Sequence, residues 1–374
     1  MYKLKVLVVD DSLVYRRIIS KAVEKTNIAV VDCTASSGIT ALERLEQRNI
    51  DVVLLDVFMP KMDGIETLRE IKRKYSHIPV IMISSGGVDG AKITVEALRL
   101  GAMDFILKPT NGDMEKNMKI INRHLNLLFS QILLDEYIEK GKPAPQTILE
   151  ESKGNIEIDK IIDTAPPSPP KKREPASRPT SLCGVDIVVM ASSTGGPNAV
   201  EEVCKALGSD FSKPILLVQH MPPDFTRIFA NFLAKRSRIQ VKEAQEGDKI
   251  VAGQMLVAPG GYHMIVNSDF TISLIDDEPV NGVKPAADVL FKSVAKAYAG
   301  KRVLAVILTG MGSDGTEGLR ALKNACHCYS ITQSEESSVI YGMPRSVDEA
   351  GLSDESVDLK DIGRRITEIS RGRC

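Results

Sequence analysis

Neither sign of charge dominates this chain: 48 Lys and Arg stand against 49 Asp and Glu over 374 residues, a net charge of −1. That balance excludes the broad electrostatic footprint of a protein built to bind nucleic acid or an anionic membrane. No apolar run approaches the roughly 18 residues that a membrane-spanning helix needs, so direct membrane insertion is not expected. The six cysteines, at positions 33, 183, 204, 326, 328 and 374, form no regular framework. Acids occupy the place in "MYKLKVLVVDDS" where an export signal would carry its small-residue cleavage site. A reduced, cytoplasmic protein is the expectation. The chain also lacks internal repeats, a G-x-S-x-G nucleophile elbow, a P-loop lysine and a helix-turn-helix signal.

What is present is an α/β rhythm interrupted once. "KVLVVDD", "DVVLLDV", "PVIMISS" and "DFILKP" are strand-like and alternate with amphipathic stretches at 13–26, 38–47 and 64–74; a longer amphipathic pattern follows at 114–139. Continuous Val/Ile/Leu strands separated by helices indicate a parallel sheet covered on both faces. From residue 141 the composition turns polar, and "TAPPSPPKKREPASRPTS" holds nothing that builds a core, which reads as an extended tether. A short Ile-rich piece, "NIEIDKIIDT", sits within it. After Cys183 the rhythm returns with "VDIVVMA", "PILLVQH", "QMLVAP" and "RVLAVILTG"; helices are suggested at 198–207, 223–237, 286–299 and 316–325, and a hairpin from "YHMIV" and "FTISLI" is expected to extend the sheet. The expected domains are residues 1–125, a helical extension and linker over 126–182, and a second α/β unit over 183–374.

In the first unit, Asp10, Asp11 and Asp56 stand at strand C-termini, where open α/β sheets place their sites. Crowded carboxylates repel one another unless a hard divalent cation sits among them, and Asp56 would then be free to attack a phosphoryl donor. Ser84 and Lys108, also at strand ends, supply a hydroxyl and a cation for the new phosphate oxygens. The bland alternative is that Asp10 and Asp11 merely cap the following helix. "VVDDS", "LLDVFMPKMDG", "ISS" and "LKP" resemble, in order and spacing, the receiver domain of two-component response regulators. The resemblance implies a flavodoxin-like five-stranded fold and Mg²⁺ held by Asp10, Asp11, Asp56 and the backbone of Phe58. It also implies that Asp56 accepts phosphate from a histidine kinase and that Phe105 is the aromatic switch residue.

In the second unit, "IVVMASSTGGPNAV" turns from strand to helix and leaves Ser192 and Ser193 at the joint. Serine needs a base within hydrogen-bond reach, and the base an orienting carboxylate. His220 ends "PILLVQH" and Asp314 follows "RVLAVILTGMGSDG", so a doubly wound sheet brings Ser, His and Asp to one edge. "TGGPN" presents free N–H groups suited to an oxyanion. Strand-end serines are more often helix caps, and these residues alone do not choose between Ser192 and Ser193.

The segments "SSTGGP", "QHMPPDFTRIFA", "APGGYHM", "DVLFKSVA", "VILTGMGSDGTEGL" and "VIYGMPRSV" resemble the catalytic domain of the chemotaxis protein-glutamate methylesterases, the CheB family. The resemblance implies Ser193 as nucleophile, His220 as base, Asp314 as orienting acid, and Thr194 with the Met311 backbone at the oxyanion site. It further implies hydrolysis of glutamate γ-methyl esters on chemoreceptor cytoplasmic domains and deamidation of receptor glutamines. The domain order, two compact units joined by a tether, adds the expectation of an unphosphorylated receiver that covers the Ser193 cleft. The chain departs from the family in having Ala191-Ser192 where Gly-Ala is common and "NACHCYSIT" where glycines are usual. His263 is a rival base with a structural or substrate-facing role favoured. Cys326, His327 and Cys328 supply no four-ligand zinc set, and Cys183 and Cys204 read as packing or linker residues. Two other readings are a regulator whose second domain holds a nucleotide or phosphate at "STGGP", which lacks a P-loop lysine, and a transcription factor, which lacks a basic face.

Overall fold

The computed structural model describes residues 2–108, 114–139 and 184–372. The proline-rich tether, its Ile-rich piece and Cys183 lie outside the described residues.

Five strands, β1 Leu4–Val9, β2 Ala29–Ala35, β3 Val52–Asp56, β4 Val80–Ser84 and β5 Asp104–Leu107, form an all-parallel sheet in the order β2-β1-β3-β4-β5. Helices α1 Leu13–Glu24, α2 Gly38–Gln47, α3 Gly64–Lys74, α4 Val88–Arg99 and α5 Met114–Glu139 cover it. β3 and β4 are buried at every position, as their unbroken apolar runs require. Ser12, Ser37 and Asp63 start α1, α2 and α3 by accepting from a backbone N–H three residues on. The chain reverses direction across the sheet between β1 and β3, so the loops after those strands diverge and leave a crevice. β2, "AVVDCTA", was not among the strand-like runs. It is an edge strand buried at only two of its seven positions, which dilutes its apolar signal.

The second unit holds β6 Ile187–Ser192, α6 Gly196–Ala206, β7 Ile215–Gln219, α7 Phe225–Ala234, β8 Gln240–Glu243, β9 Gln254–Val257, β10 His263–Val266 and β11 Ile272–Ile275. After these come α8 Ala287–Ala297, β12 Arg302–Ile307, α9 Thr316–Ala325, β13 His327–Gln333, α10 Met343–Glu349, β14 Glu355–Val357 and α11 Leu359–Ser370. Seven parallel strands run in the order β14-β13-β12-β6-β7-β9-β8. Its reversal falls between β6 and β12, with β7 next to β6.

Two expectations need correction. The β10–β11 hairpin does not extend the main sheet but forms a two-stranded sheet of its own. Helix α7 starts at Phe225, because Asp224 stands at φ 68° and breaks the helix path behind the prolines. The atypical "NACHCYSIT" forms the end of α9 and an ordinary parallel strand, β13.

The two units pack together. Helix α4 lies against α6 and α7, and the Asn198 amide donates to the Leu98 carbonyl at 2.8 Å. Phe105 of β5 stacks flat on Phe225, with ring centroids 4.8 Å apart. Ile340 and Met311 of the second unit join the apolar cluster formed by β1, α1 and α5.

Candidate active site

In the receiver-like unit, Asp10 and Asp56 are fully buried and Asp11 is exposed, yet one carboxylate oxygen from each lies within 4.8 Å of the others. Lys108 Nζ sits 2.8 Å from both Asp10 Oδ2 and Asp56 Oδ2. Lys108 is the cation paired with these carboxylates, while Arg16 beside them bonds only the Asp10 and Asp11 carbonyls, so the three acids are short of positive partners. Burial pushes the Asp56 carboxyl up to about 6, against the pull of Lys108 and of the Phe58 N–H. Asp56 Oδ1 is buried with no hydrogen-bond partner. An orphaned oxygen beside two further carboxylates fits a hard, oxygen-seeking divalent ion. The Ser84 hydroxyl accepts from Thr94 of α4 at 2.7 Å and donates to the Ser85 carbonyl, so in this state it is held by α4. Phe105 does not face solvent; it is committed to the Phe225 stack. Asp10 Oδ1 accepts from the Ser12 N–H, but the cap of α1 is the Ser12 hydroxyl.

In the second unit, the strand order delivers three side chains to one C-terminal edge: Ser193 follows β6, His220 follows β7, and Asp314 stands in the loop after β12. His220 Nε2 bonds Asp314 Oδ2 at 2.8 Å, with both side chains nearly buried. That commits Nε2 to the carboxylate and leaves Nδ1 as the nitrogen free to take a proton. Asp314 is held from four sides. Oδ2 also accepts from the Ala287 N–H at 2.6 Å, and Oδ1 accepts from the Asp288 N–H at 3.0 Å and the Asn281 amide at 3.2 Å. The carboxylate thus seats on the N-terminus of α8. Burial works to raise its pKa, but His220 and those backbone donors outweigh it and hold Asp314 below the ordinary carboxylate range.

The choice between the serines turns on Gln219. The Ser192 hydroxyl is buried and donates to Gln219 Oε1 at 2.6 Å. The Gln219 amide donates in turn to the carbonyls of Ser193 at 2.9 Å and His220 at 3.3 Å. Ser193 lines the same cavity as His220, about 780 Å³ in volume, and its hydroxyl bonds to nothing among the described residues, the His220 ring included. The backbone N–H groups of Thr194, Gly195 and Met311 are likewise without partners among the described residues, and all three residues line that cavity. Two glycines make the loop fit. Gly195 stands at φ 77° with Val339 Cβ 2.5 Å from where a Cβ would be, and a Cβ on Gly310 would come within 2.9 Å of Ser193 Cβ.

The receiver-like unit forms the other wall of the cavity through Asp104, Phe105, Arg123 and His124. The Thr194 hydroxyl donates across the boundary to Asp104 Oδ2. Burial pushes the Asp104 carboxyl up.

His263 is buried, with Nδ1 accepting from the Ala286 N–H at 3.1 Å and Nε2 donating to the Glu278 carbonyl at 3.0 Å. Both ring nitrogens are occupied by backbone, so it fastens the loop ahead of α8. Cys326 directs its thiol to the Tyr298 carbonyl and Cys328 to that of Tyr329; Cys204 is buried in the core. Residues Gly310 to Gly315, "GMGSDG", have the glycine spacing of a dinucleotide-binding turn, between a strand and a helix. Here the N–H groups of Gly315 and Gly318, which would meet a phosphate, are taken by Asp288 Oδ1 at 3.0 and 2.7 Å.

Comparison with known proteins finds a match for each of the two units. The CheB methylesterase family model matches residues 188–366, and the response regulator receiver domain model matches residues 6–120. A protein-glutamate methylesterase/protein-glutamine glutaminase of Treponema denticola is 39% identical over 375 residues, covering 99% of each chain. The chain belongs to the CheB methylesterase family. A second relative of the same name, from Symbiobacterium thermophilum, is 39% identical over 370 residues, 97% of this chain and 96% of that one. The solved CheB methylesterase catalytic domain of Thermotoga maritima is 37% identical, covers 50% of this chain and 98% of that one, and has a TM-score of 0.47. This CheB-family chain is therefore a carboxylic ester hydrolase under the control of a response-regulator receiver.

Reading the sequence did not single out Gln219, Asn281, Asp288 or Asp104. Asp288 carries only the faint signal of an acid in the first turn of a helix. The others carry none, because the partners that tie them to the site, Ser193 for Gln219, Asp314 for Asn281 and Thr194 for Asp104, lie 26 or more residues away.

Proposed function

We propose that this CheB-family protein removes methyl groups from glutamate γ-methyl esters on the cytoplasmic helical bundle of chemoreceptors, and deamidates receptor glutamines through the same acyl intermediate. The observation that carries this reading is the 2.8 Å bond between His220 Nε2 and Asp314 Oδ2 at the sheet edge where Ser193, with its hydroxyl uncommitted, lines the same cavity. Ser193 Oγ attacks the ester carbonyl while His220 Nδ1 takes its proton, and Asp314 steadies the imidazolium that forms. The N–H groups of Thr194 and Met311 face the oxygen that gains charge. Protonated by His220, methanol leaves. Water then gives a proton to Nδ1 and its oxygen to the acyl carbon, releasing the glutamate carboxylate and restoring Ser193.

Regulation in this reading runs from Asp56, whose carboxylate accepts a phosphoryl group from a histidine kinase. Asp10, Asp11, Asp56 and the Phe58 carbonyl would hold Mg²⁺, which when bound offsets the charge of the transferring phosphoryl oxygens. Ser84 and Lys108 receive the new oxygens. Drawing Ser84 away from Thr94 loosens α4, the helix packed on α6 and α7. The cover over Ser193 then lifts. No helix among the described residues is long and apolar enough to cross a membrane. The test is methanol release from methylated receptor membranes by the full chain, with and without acetyl phosphate and Mg²⁺. Release that rises with the phosphodonor is expected; no release under either condition refutes the reading.

A further inference from the structure

Two buried carboxylates, not one, stand behind His220. Asp314 Oδ2 and Oδ1 accept from the N–H groups of Ala287 and Asp288, which open α8. Asp288 Oδ1 accepts from the N–H groups of Gly315 and Gly318, which open α9. Asp314 thus closes the N-terminus of the helix that contains Asp288, and Asp288 closes the N-terminus of the helix that follows Asp314. The Asn281 amide bridges them, donating to Asp288 Oδ2 at 3.0 Å and to Asp314 Oδ1 at 3.2 Å.

We propose that Asp288 is a positioning residue for the hydrolysis, fixing Asp314 against His220 through Asn281 and through the backbone of Gly315. This inference rests on the Ser193–His220–Asp314 reading above. The geometry distinguishes the role from simple helix capping. One helix cap requires one acceptor, whereas Asp288 uses Oδ1 on α9 and spends Oδ2 on an amide whose other contact is the catalytic acid. Gly315 directly follows Asp314, so the bond from its N–H to Asp288 sets where the Asp314 backbone lies. The neighbouring α9 turn cannot drift without moving the carboxylate that orients the base. The ionisation pattern agrees: burial and the charge of Asp314 push the Asp288 carboxyl up, while Asp314 is held down by its donors.

The role belongs to kcat rather than to substrate affinity, because Asp288 is buried and is not among the residues lining the cavity. Misplacing a catalytic group by about 1 Å costs up to roughly a hundredfold in rate. The experiment measures methanol release from methylated receptor membranes by the full chain, activated with acetyl phosphate and Mg²⁺. Wild type is compared with Asp288→Asn, Asn281→Ala and the double variant, and a melting curve is recorded for each. Asp288→Asn keeps an oxygen for the two glycine N–H groups but gives Asn281 an amide in place of a carboxylate oxygen. Each single change is expected to lower kcat by roughly ten- to a hundredfold, and Asp288→Asn, which alters no residue of the cavity wall, should leave KM within about twofold. The double variant should be no slower than the slower single one, since both act through Asp314.

An Asp288→Asn variant that melts earlier but turns over at the wild-type rate while folded overturns the proposal, as does full additivity in the double variant. Should Asp288→Asn fail to fold, Asn281→Ala decides alone, and an unchanged kcat there overturns it. An inactive wild type would instead sink the esterase reading, so the two failures are distinguishable.

Discussion

At the scale of single residues, local bonding settles what residue type leaves open. Ser192 and Ser193 are equivalent as letters, and the difference between them is a glutamine amide 27 positions away that consumes one hydroxyl. Asp56 shows the same dependence on surroundings. Its carboxyl titrates at about 6 instead of 3.8 because it is buried, so the fold favours the protonated form. The stabilisation is full below the unfolded value and is lost as pH rises through about 6. Asp56→Asn should therefore stabilise the receiver's unfolding transition at pH 8 in EDTA, by on the order of 2 kcal/mol, with the advantage shrinking as pH falls through 6 and gone near 4. Denaturant unfolding across that range measures it, and an advantage independent of pH would contradict it. His220 and Asp314 were legible from their places at strand ends. Asn281 and Asp288 were not, because their role exists only once two helix N-termini lie side by side.

At the scale of elements, the parallel order of each sheet does the placing. Both crevices open where the strand order reverses, beside β1 and β3 in one unit and β6 and β12 in the other, and the catalytic and phosphate-related residues named from the sequence, Phe105 within β5 excepted, stand on loops or strand ends at the C-terminal edges. This much was legible, because unbroken apolar strands announce a parallel sheet. The hairpin was misplaced because alternation along β10 and β11 reports pairing with each other and says nothing of which sheet they join. The strand-to-helix turn after β6 depends on Gly195, whose backbone is left-handed and whose Cα faces Val339. Gly195→Ala should cost about 1–2 kcal/mol in backbone strain. It should also lower kcat by displacing the N–H groups at 194 and 195. Melting and methanol-release measurements on the same preparation check both, and an unaltered kcat would show that the turn does not serve the oxyanion.

At the scale of the whole molecule, the esterase edge is walled by the chain's own receiver. Nothing in sequence pattern announces the pairing of Thr194 with Asp104 or of Phe225 with Phe105, since each joins residues at least 90 positions apart on opposite sides of a patternless tether. Because both units belong to one chain they meet at high effective concentration, so a modest interface suffices to hold the cover on. Asp104→Ala removes the acceptor of the Thr194 hydroxyl. It should raise methanol release by the unphosphorylated chain several-fold while leaving the phosphodonor-activated rate near that of wild type; an unchanged basal rate would mean that this contact does not hold the cover. The most direct measurement is methanol release from methylated receptor membranes by the phosphodonor-activated full chain carrying Ser193→Ala or Ser192→Ala. The expected result is a loss of at least about a thousandfold for Ser193→Ala and less than about tenfold for Ser192→Ala. Substantial release by Ser193→Ala, or loss only in Ser192→Ala, would contradict the account.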